Sequence, residues 1–331
     1  MTPATLISDL TIALPNKCKI LITGAPGIGK SDIVAQAAGN AGFDIILMHP
    51  SISDPTDFKG LPAIVNSAAE FLPYGQLRKL INASTPTACF IDDIGQAPDA
   101  VQAALMQLLQ AREIDGHKIS DEIVFVGATN SAAHMAGVRG ILEPVKSRWD
   151  SIIELQVSVE EWCAWAMKKG LPEEVVAFVH FRGMDAIHKF APTREIKNSV
   201  CPRTVASAAK LWKAGLRSME NLSGATGEGW AVEFLSFARC YASMPDPDDC
   251  FAAPHSARVP QGNDVSTLYA ISVALSMRLK NHNISNGIVY LDRLPTEYSI
   301  MAVKAAVDRD PDLMNTPGFT NWAVKNSRYL S

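Results

Sequence analysis

The chain has 331 residues, 47% of them hydrophobic and 19% charged, with a formal net charge of −4. That composition belongs to a globular protein with an ample core and room for two domains, and it excludes a disordered chain. The acidic balance supplies no overall electrostatic footprint for a nucleic-acid backbone, so nucleic acid is not an expected partner.

In chain order, Ala4–Leu14 fits at most a short helix and a turn. The apolar run Ile20–Ile22 then reads as a buried strand. It leads into Gly24-Ala25-Pro26-Gly27-Ile28-Gly29-Lys30-Ser31, which fits G-x-x-x-x-G-K-[ST]. Glycines let backbone N–H groups turn inward around phosphate oxygens. Lys30 would reach the β- and γ-phosphates of a nucleotide and the Ser31 hydroxyl would ligate Mg²⁺. A helix from Lys30 to Ala41, with Asp32 in its first turn, would aim its positive end at the same phosphates. Gly42 stops it, and Asp44–Met48 reads as a second strand, completing a βαβ unit of a parallel sheet.

Residues 49–75 are turn-rich, and Ala63–Val65 with Glu70–Leu72 could form a small hairpin; loops of this length tend to be functional. A helix follows over Gly75–Asn82. The third strand, Thr87–Ile91, ends in Asp92-Asp93. Carboxyl ends of parallel strands face the ligand crevice. Asp92 would therefore sit at the metal site, and Asp93 would lie near the γ-phosphate, where a base orients water. Pro98 suits the first turn of a helix over Asp99–Ala111, and Asp115-Gly116 marks a hairpin turn within Glu113–Ile119. Glu122–Gly127 reads as the fourth strand, leading into Ala128-Thr129-Asn130, and Ser151–Val157 as the fifth. From Val159 the pattern is helical, with turns at Gly170–Pro172 and Asn221–Glu228 and a loop at Ala253–Asn263. Helices are expected from Pro202 through Trp212, over Gly229–Met244, after Pro245–Asp249, over Val265–Leu279 and over Pro295–Val307.

The N-terminal segment shows no basic region followed by an apolar run. The longest apolar stretch, Val265–Leu279, contains Arg278 and is short for a membrane span. The six cysteines never approach Cys-x-x-Cys spacing and the seven histidines are scattered, which points away from disulfides and a His/Cys metal site. A cytoplasmic protein without a membrane segment is expected.

This order of motifs resembles that of AAA+ ATPases. Asp54-Pro-Thr-Asp-Phe-Lys-Gly-Leu-Pro62 and Leu142-Glu-Pro-Val-Lys-Ser-Arg148-Trp149 resemble segments of the MoxR-like branch that phages and bacteria encode. The resemblance implies an α/β AAA+ P-loop core with a five-stranded parallel sheet over residues 1–157, then a helical lid and C-terminal region over 158–331. It implies that Gly24–Ser31 is Walker A, Asp92 the Walker B metal carboxylate and Asp93 the catalytic position. Asn130 is similar to the sensor of the attacking water. Arg148 resembles the arginine finger given to a neighbouring subunit, with Arg139 a lesser candidate, and Arg203 the lid sensor. Residues 56–72 would be the helix-2 insert and 112–118 the pre-sensor hairpin, both facing a central pore. Asp93 stands where the family usually has Glu, one methylene longer, so slow but real hydrolysis is expected; Trp149 stands where Phe is usual and is read as packing.

The implied function is ATP hydrolysis with Mg²⁺ by a homo-oligomeric ring, expected to be a hexamer, that remodels a protein client with a von Willebrand A-domain partner. Two other readings share the phosphate loop. A nucleic-acid motor or loader should show Lys/Arg clusters, which the chain lacks. A nucleotide-gated scaffold with little hydrolysis is a reading that the short Asp93 side chain leaves open. A small-molecule kinase would need a substrate pocket under a short lid, and a GTPase would need an Asn-Lys-x-Asp segment after the loop.

Overall fold

Alternation of side chains along five apolar runs builds the centre of the N-terminal part. A computed structural model describes residues 1–114, 116–131, 140–189, 191, 195–262 and 264–329. The elements to residue 154 run α1 (Pro3–Ala13), β1 (Ile20–Gly24), α2 (Lys30–Ala41), β2 (Asp44–Met48), α3 (Thr56–Lys59), β3 (Leu61–Val65), β4 (Ala68–Leu72), α4 (Gly75–Ile81), β5 (Thr87–Ile91), α5 (Asp99–Ala111), β6 (Glu113–Ile114), β7 (His117–Lys118), β8 (Ile123–Asn130), α6 (Glu143–Lys146) and β9 (Ser151–Glu154). Five strands form a parallel sheet of order β2-β5-β8-β1-β9. This is the expected five-stranded parallel α/β core.

Successive residues on a strand point to opposite faces, and the two faces carry separate cores. Ile20, Ile22, Ala88, Phe90, Val124 and Val126 pack with Leu6 and Leu10 of α1 and Ile33, Val34 and Ala37 of α2. Leu21, Cys89, Ile91, Ile123 and Phe125 pack with Leu77 and Leu80 of α4 and Val101, Leu105 and Leu108 of α5. Helices on both sides explain why β5 and β8 are buried along their whole length.

Two strand ends differ from expectation. β8 runs on to Asn130, because its carboxyl end continues to pair with β1 through Thr23↔Thr129 and Gly24↔Asn130. β9 stops at Glu154, since the Gln156 amide donates to the Met1 carbonyl at 2.9 Å and leaves the sheet.

The chain divides into two compact units, one holding Met1–Ser158 and Cys201–Arg203, the other Val159–Lys189, Glu195–Val200 and Thr204–Ser331. The later helices are α7 (Val159–Lys168), α8 (Glu173–Arg182), α9 (Met184–Ile187), α10 (Pro202–Lys213), α11 (Met219–Thr226), α12 (Glu228–Ala242), α13 (Pro247–Ala252), α14 (Val265–Arg278), α15 (Ile284–Leu291), α16 (Thr296–Arg309) and α17 (Pro317–Lys325). Within the second unit α14 is buried nearly all round, from Thr267 through Ser276, which makes it the central helix. Phe178 meets Trp230 and Phe234 edge-on at 5.3 and 5.5 Å. Asn221–Glu228 is mostly helix, not a turn. The Ser218 side chain caps the Asn221 amide at 3.3 Å, and burial of Leu222 and Ala225 holds α11 in place. α15 and α17 add two helices that the sequence pattern does not single out. Among the described residues no helix is long and apolar enough to cross a membrane.

Candidate functional site

β1 delivers the chain to the phosphate loop at Gly24, and α2 starts at Lys30. The cap residue Gly29 has φ +95°, a left-handed conformation that side chains resist, so the loop can tighten onto the helix only with glycine there. Ala25 and Ile28 turn inward and are buried, while Asp32 is exposed beside the helix N-terminus, where a carboxylate is favourable.

Lys30 is only 7% exposed. Its Nζ donates to Asn130 Oδ1 at 2.8 Å and to the Ala25 and Gly24 carbonyls at 2.9 and 3.2 Å. Burial lowers this ammonium to about 8, against the pull of Asp92 and Asp93. The next residue reaches the opposite side of the crevice, where Ser31 Oγ donates to Asp92 Oδ2 at 2.8 Å.

Asp92 extends the sheet by one backbone bond, its amide donating to the Met48 carbonyl at 2.9 Å. Asp93 then takes φ +57°, an uncommon conformation for a residue with a side chain. Asp92 Oδ1 accepts the Asp93 amide at 2.9 Å. Asp93 Oδ1 in turn accepts from Asn130 Nδ2 at 3.2 Å and Gln96 Nε2 at 3.4 Å. A path of polar contacts therefore runs from Ser31 through Asp92, Asp93 and Asn130 to Lys30. Two oxygen donors, Ser31 Oγ and Asp92 Oδ2, converge at one point of it, and such a donor set suits Mg²⁺.

Burial, with the neighbouring Asp92 charge, raises the Asp93 carboxyl above the usual carboxylate range; Lys30, His49 and Arg203 only partly offset this. A raised value means that the proton is held at higher pH during acidification. If Asp93 must be ionised to accept from water, the acid limb of kcat/KM lies above the ordinary carboxylate range. A pH profile of turnover with this limb at the unperturbed aspartate value would contradict the assignment.

Arg203 belongs to the same unit, and its amide donates to the Gly27 carbonyl at 3.0 Å. Gly27 has φ +73°, and a Cβ there would lie 2.5 Å from Cys201 Sγ, so the loop and the Cys201–Arg203 segment meet only at glycine. Arg148 lies outside this network. It follows α6, and its Nε and Nη2 donate to Gln110 Oε1 while Nη1 donates to the Pro144 carbonyl. Trp149 is buried in the α4/α5 core, and a Cβ on Gly127 would come within 2.6 Å of its ring. Arg139, Asp115 and most of the 132–140 loop lie outside the described residues.

Asp54-Pro-Thr-Asp-Phe-Lys-Gly-Leu-Pro62 forms the base of the β3–β4 hairpin. Asp54 Oδ1 accepts from the Thr56 amide at 2.9 Å, Asp57 Oδ2 accepts from the Asp54 amide at 2.9 Å, and Phe58 is fully buried. The hairpin, Leu61–Val65 with Ala68–Leu72, is longer than expected and leaves Ile64 84% exposed. β6 and β7 form the second hairpin.

Three partners had no signal in the sequence. Gln96 and His49 act on Asp93, and Gln110 binds Arg148. Each is a common polar residue whose role depends on what folding brings beside it.

The family model of the AAA domain (dynein-related subfamily) matches residues 19–149. The sheet and phosphate loop have the AAA+ P-loop fold. No curated protein sequence matches the chain. Among solved structures, the Thermotoga maritima RuvB Holliday junction branch migration motor is similar at 17% identity, over 82% of this chain and 81% of that one, with a TM-score of 0.41. NtrX from Brucella abortus in complex with ADP is similar at 12% identity, over 98% of this chain and 67% of that one, with a TM-score of 0.46.

Proposed function

We propose that the chain hydrolyses ATP to ADP and phosphate as a ring-forming ATPase of the MoxR-like branch and uses the cycle to remodel a protein client. The observation that carries the reading is the polar path from Ser31 through Asp92, Asp93 and Asn130 to Lys30, wrapped round a phosphate loop. Ser31 and Asp92 would hold Mg²⁺, whose charge offsets that of the phosphates.

Each side chain then has a distinct task. Lys30 exchanges its loop carbonyls and Asn130 for phosphate oxygens. Asn130, released by Lys30, and Asp93 orient a water. The water oxygen bonds to the γ-phosphorus as the bond to the ADP oxygen breaks, and the water proton passes to Asp93. Arg203 lies on the phosphate-loop side, its charge felt by both Lys30 and Asp93. Arg148, already outside its own chain's network, would serve the γ-phosphate of a neighbouring protomer.

The Asp54–Pro62 stretch supports the MoxR-like assignment, and with it a hexamer and a von Willebrand A-domain partner. The test is particle size by light scattering with and without a non-hydrolysable ATP analogue. Assembly into a ring with the analogue is expected; a monomer under all conditions would remove both the arginine finger and the ring.

A further inference from the structure

A cation that acts across a subunit boundary costs less to engage when its direction is held before the neighbour arrives. Arg148 is held in this way within its own chain. Its guanidinium presents Nε and Nη2 to a single acceptor, Gln110 Oε1, with 3.0 Å from Nε, and its Nη1 to the Pro144 carbonyl. Two edges of a planar fork are thus fixed, and the remaining N–H groups are left to bind elsewhere.

The chemistry of the acceptor matters. Gln110 lies on the exposed last turn of α5 and contributes nothing to the core. Its amide oxygen is neutral, so it orients the guanidinium without cancelling the positive charge. A carboxylate at the same place would form an ion pair and weaken the attraction for phosphate. The Pro144 carbonyl lies in the first turn of α6, the short helix leading to Arg148, so that contact travels with the segment itself. Gln110 is the contact that ties Arg148 to α5, a long helix packed against the sheet.

We infer that Gln110 is a positioning residue for Arg148: it pre-aligns the guanidinium for the phosphate of the neighbouring protomer. This inference rests on the reading of Arg148 as a finger acting in trans. Pre-alignment lowers the barrier to turnover because the side chain's freedom is given up before the transition state is reached.

The test is Gln110→Met, which keeps side-chain length and helix propensity and removes the acceptor. Loss of the acceptor shared by Nε and Nη2 predicts a fall in kcat of at least about tenfold. KM and the affinity for an ATP analogue should stay within about twofold, and particle size should be unchanged. Gln110→Ala should behave alike and guards against a peculiarity of methionine. In an Arg148→Lys background, where the lysine head has no fork to align, Gln110→Met should cost less than about twofold further. Full kcat in Gln110→Met, or an equal loss in the Arg148→Lys background, overturns the inference. If Arg148→Ala is inactive while Gln110→Met is unimpaired, only the role of Gln110 falls. If Arg148→Ala turns over normally, the finger reading and this inference fall together.

Discussion

Arg148→Ala is expected to lower ATP turnover by about 10³–10⁵, the range that arginine fingers supply in phosphoryl transfer. Binding of nucleotide should survive, because Arg148 makes no contact with the polar path around the phosphate loop in its own chain and is engaged instead by Gln110 and Pro144. An interaction made chiefly in the transition state lowers kcat and leaves ground-state affinity in place. Steady-state phosphate release together with binding of a fluorescent ATP analogue separates the two quantities. Mixing supplies a stricter check. Arg148→Ala protomers retain a complete phosphate loop, and protomers lacking Lys30 retain Arg148. Two inactive preparations that regain turnover on mixing would establish action in trans. Unchanged turnover in Arg148→Ala would exclude this residue from the reaction.

Lys30→Met is expected to weaken nucleotide binding by about ten- to hundredfold, since a charged donor to phosphate is lost with no replacement. The substitution has a second signature, in stability. The Lys30 ammonium falls from an ordinary 10.5 to about 8 through burial. Between those two values the unfolded chain binds the proton more tightly than the folded one, so the free energy of unfolding rises with pH across this window. Below about 8 the burial penalty is fully present, and above 10.5 it has gone. Lys30→Met should lack the rise, measured by denaturant unfolding at a series of pH values. The same slope in wild type and variant would mean that Lys30 is not held as a buried cation.

Much of the core was legible because it rests on local rules. The phosphate loop needs glycine at defined positions, and the apolar runs before and after it have strand and helix periods. Thr87–Ile91 reads as a strand for the same reason, and a strand end places Asp92 and Asp93 in the crevice. The second unit was less legible. The Asn, Ser and Gly residues of Asn221–Glu228 suggest a turn, yet a Ser218 cap and the burial of Leu222 outweigh local propensity there. The Thr316 cap and the buried Trp322 of α17 tell the same story.

The order of the elements around the phosphate loop follows from the amino-acid sequence, as do the chemical kinds of group near it: an ammonium, a hydroxyl, two carboxylates and an amide. Motif residues carry their own backbone demands, and those demands act over a few neighbours. Which of these groups touch depends on how the elements pack. Pairing of β1 with β8 in the register Gly24↔Asn130 brings Asn130 to Lys30, residues 100 apart in the chain. Packing of α5 near α6 puts Gln110 on Arg148. Burial then sets the ionisation of Lys30 and Asp93. Such contacts depend on sheet register and desolvation, which are properties of the assembled core and leave no pattern in neighbouring residues.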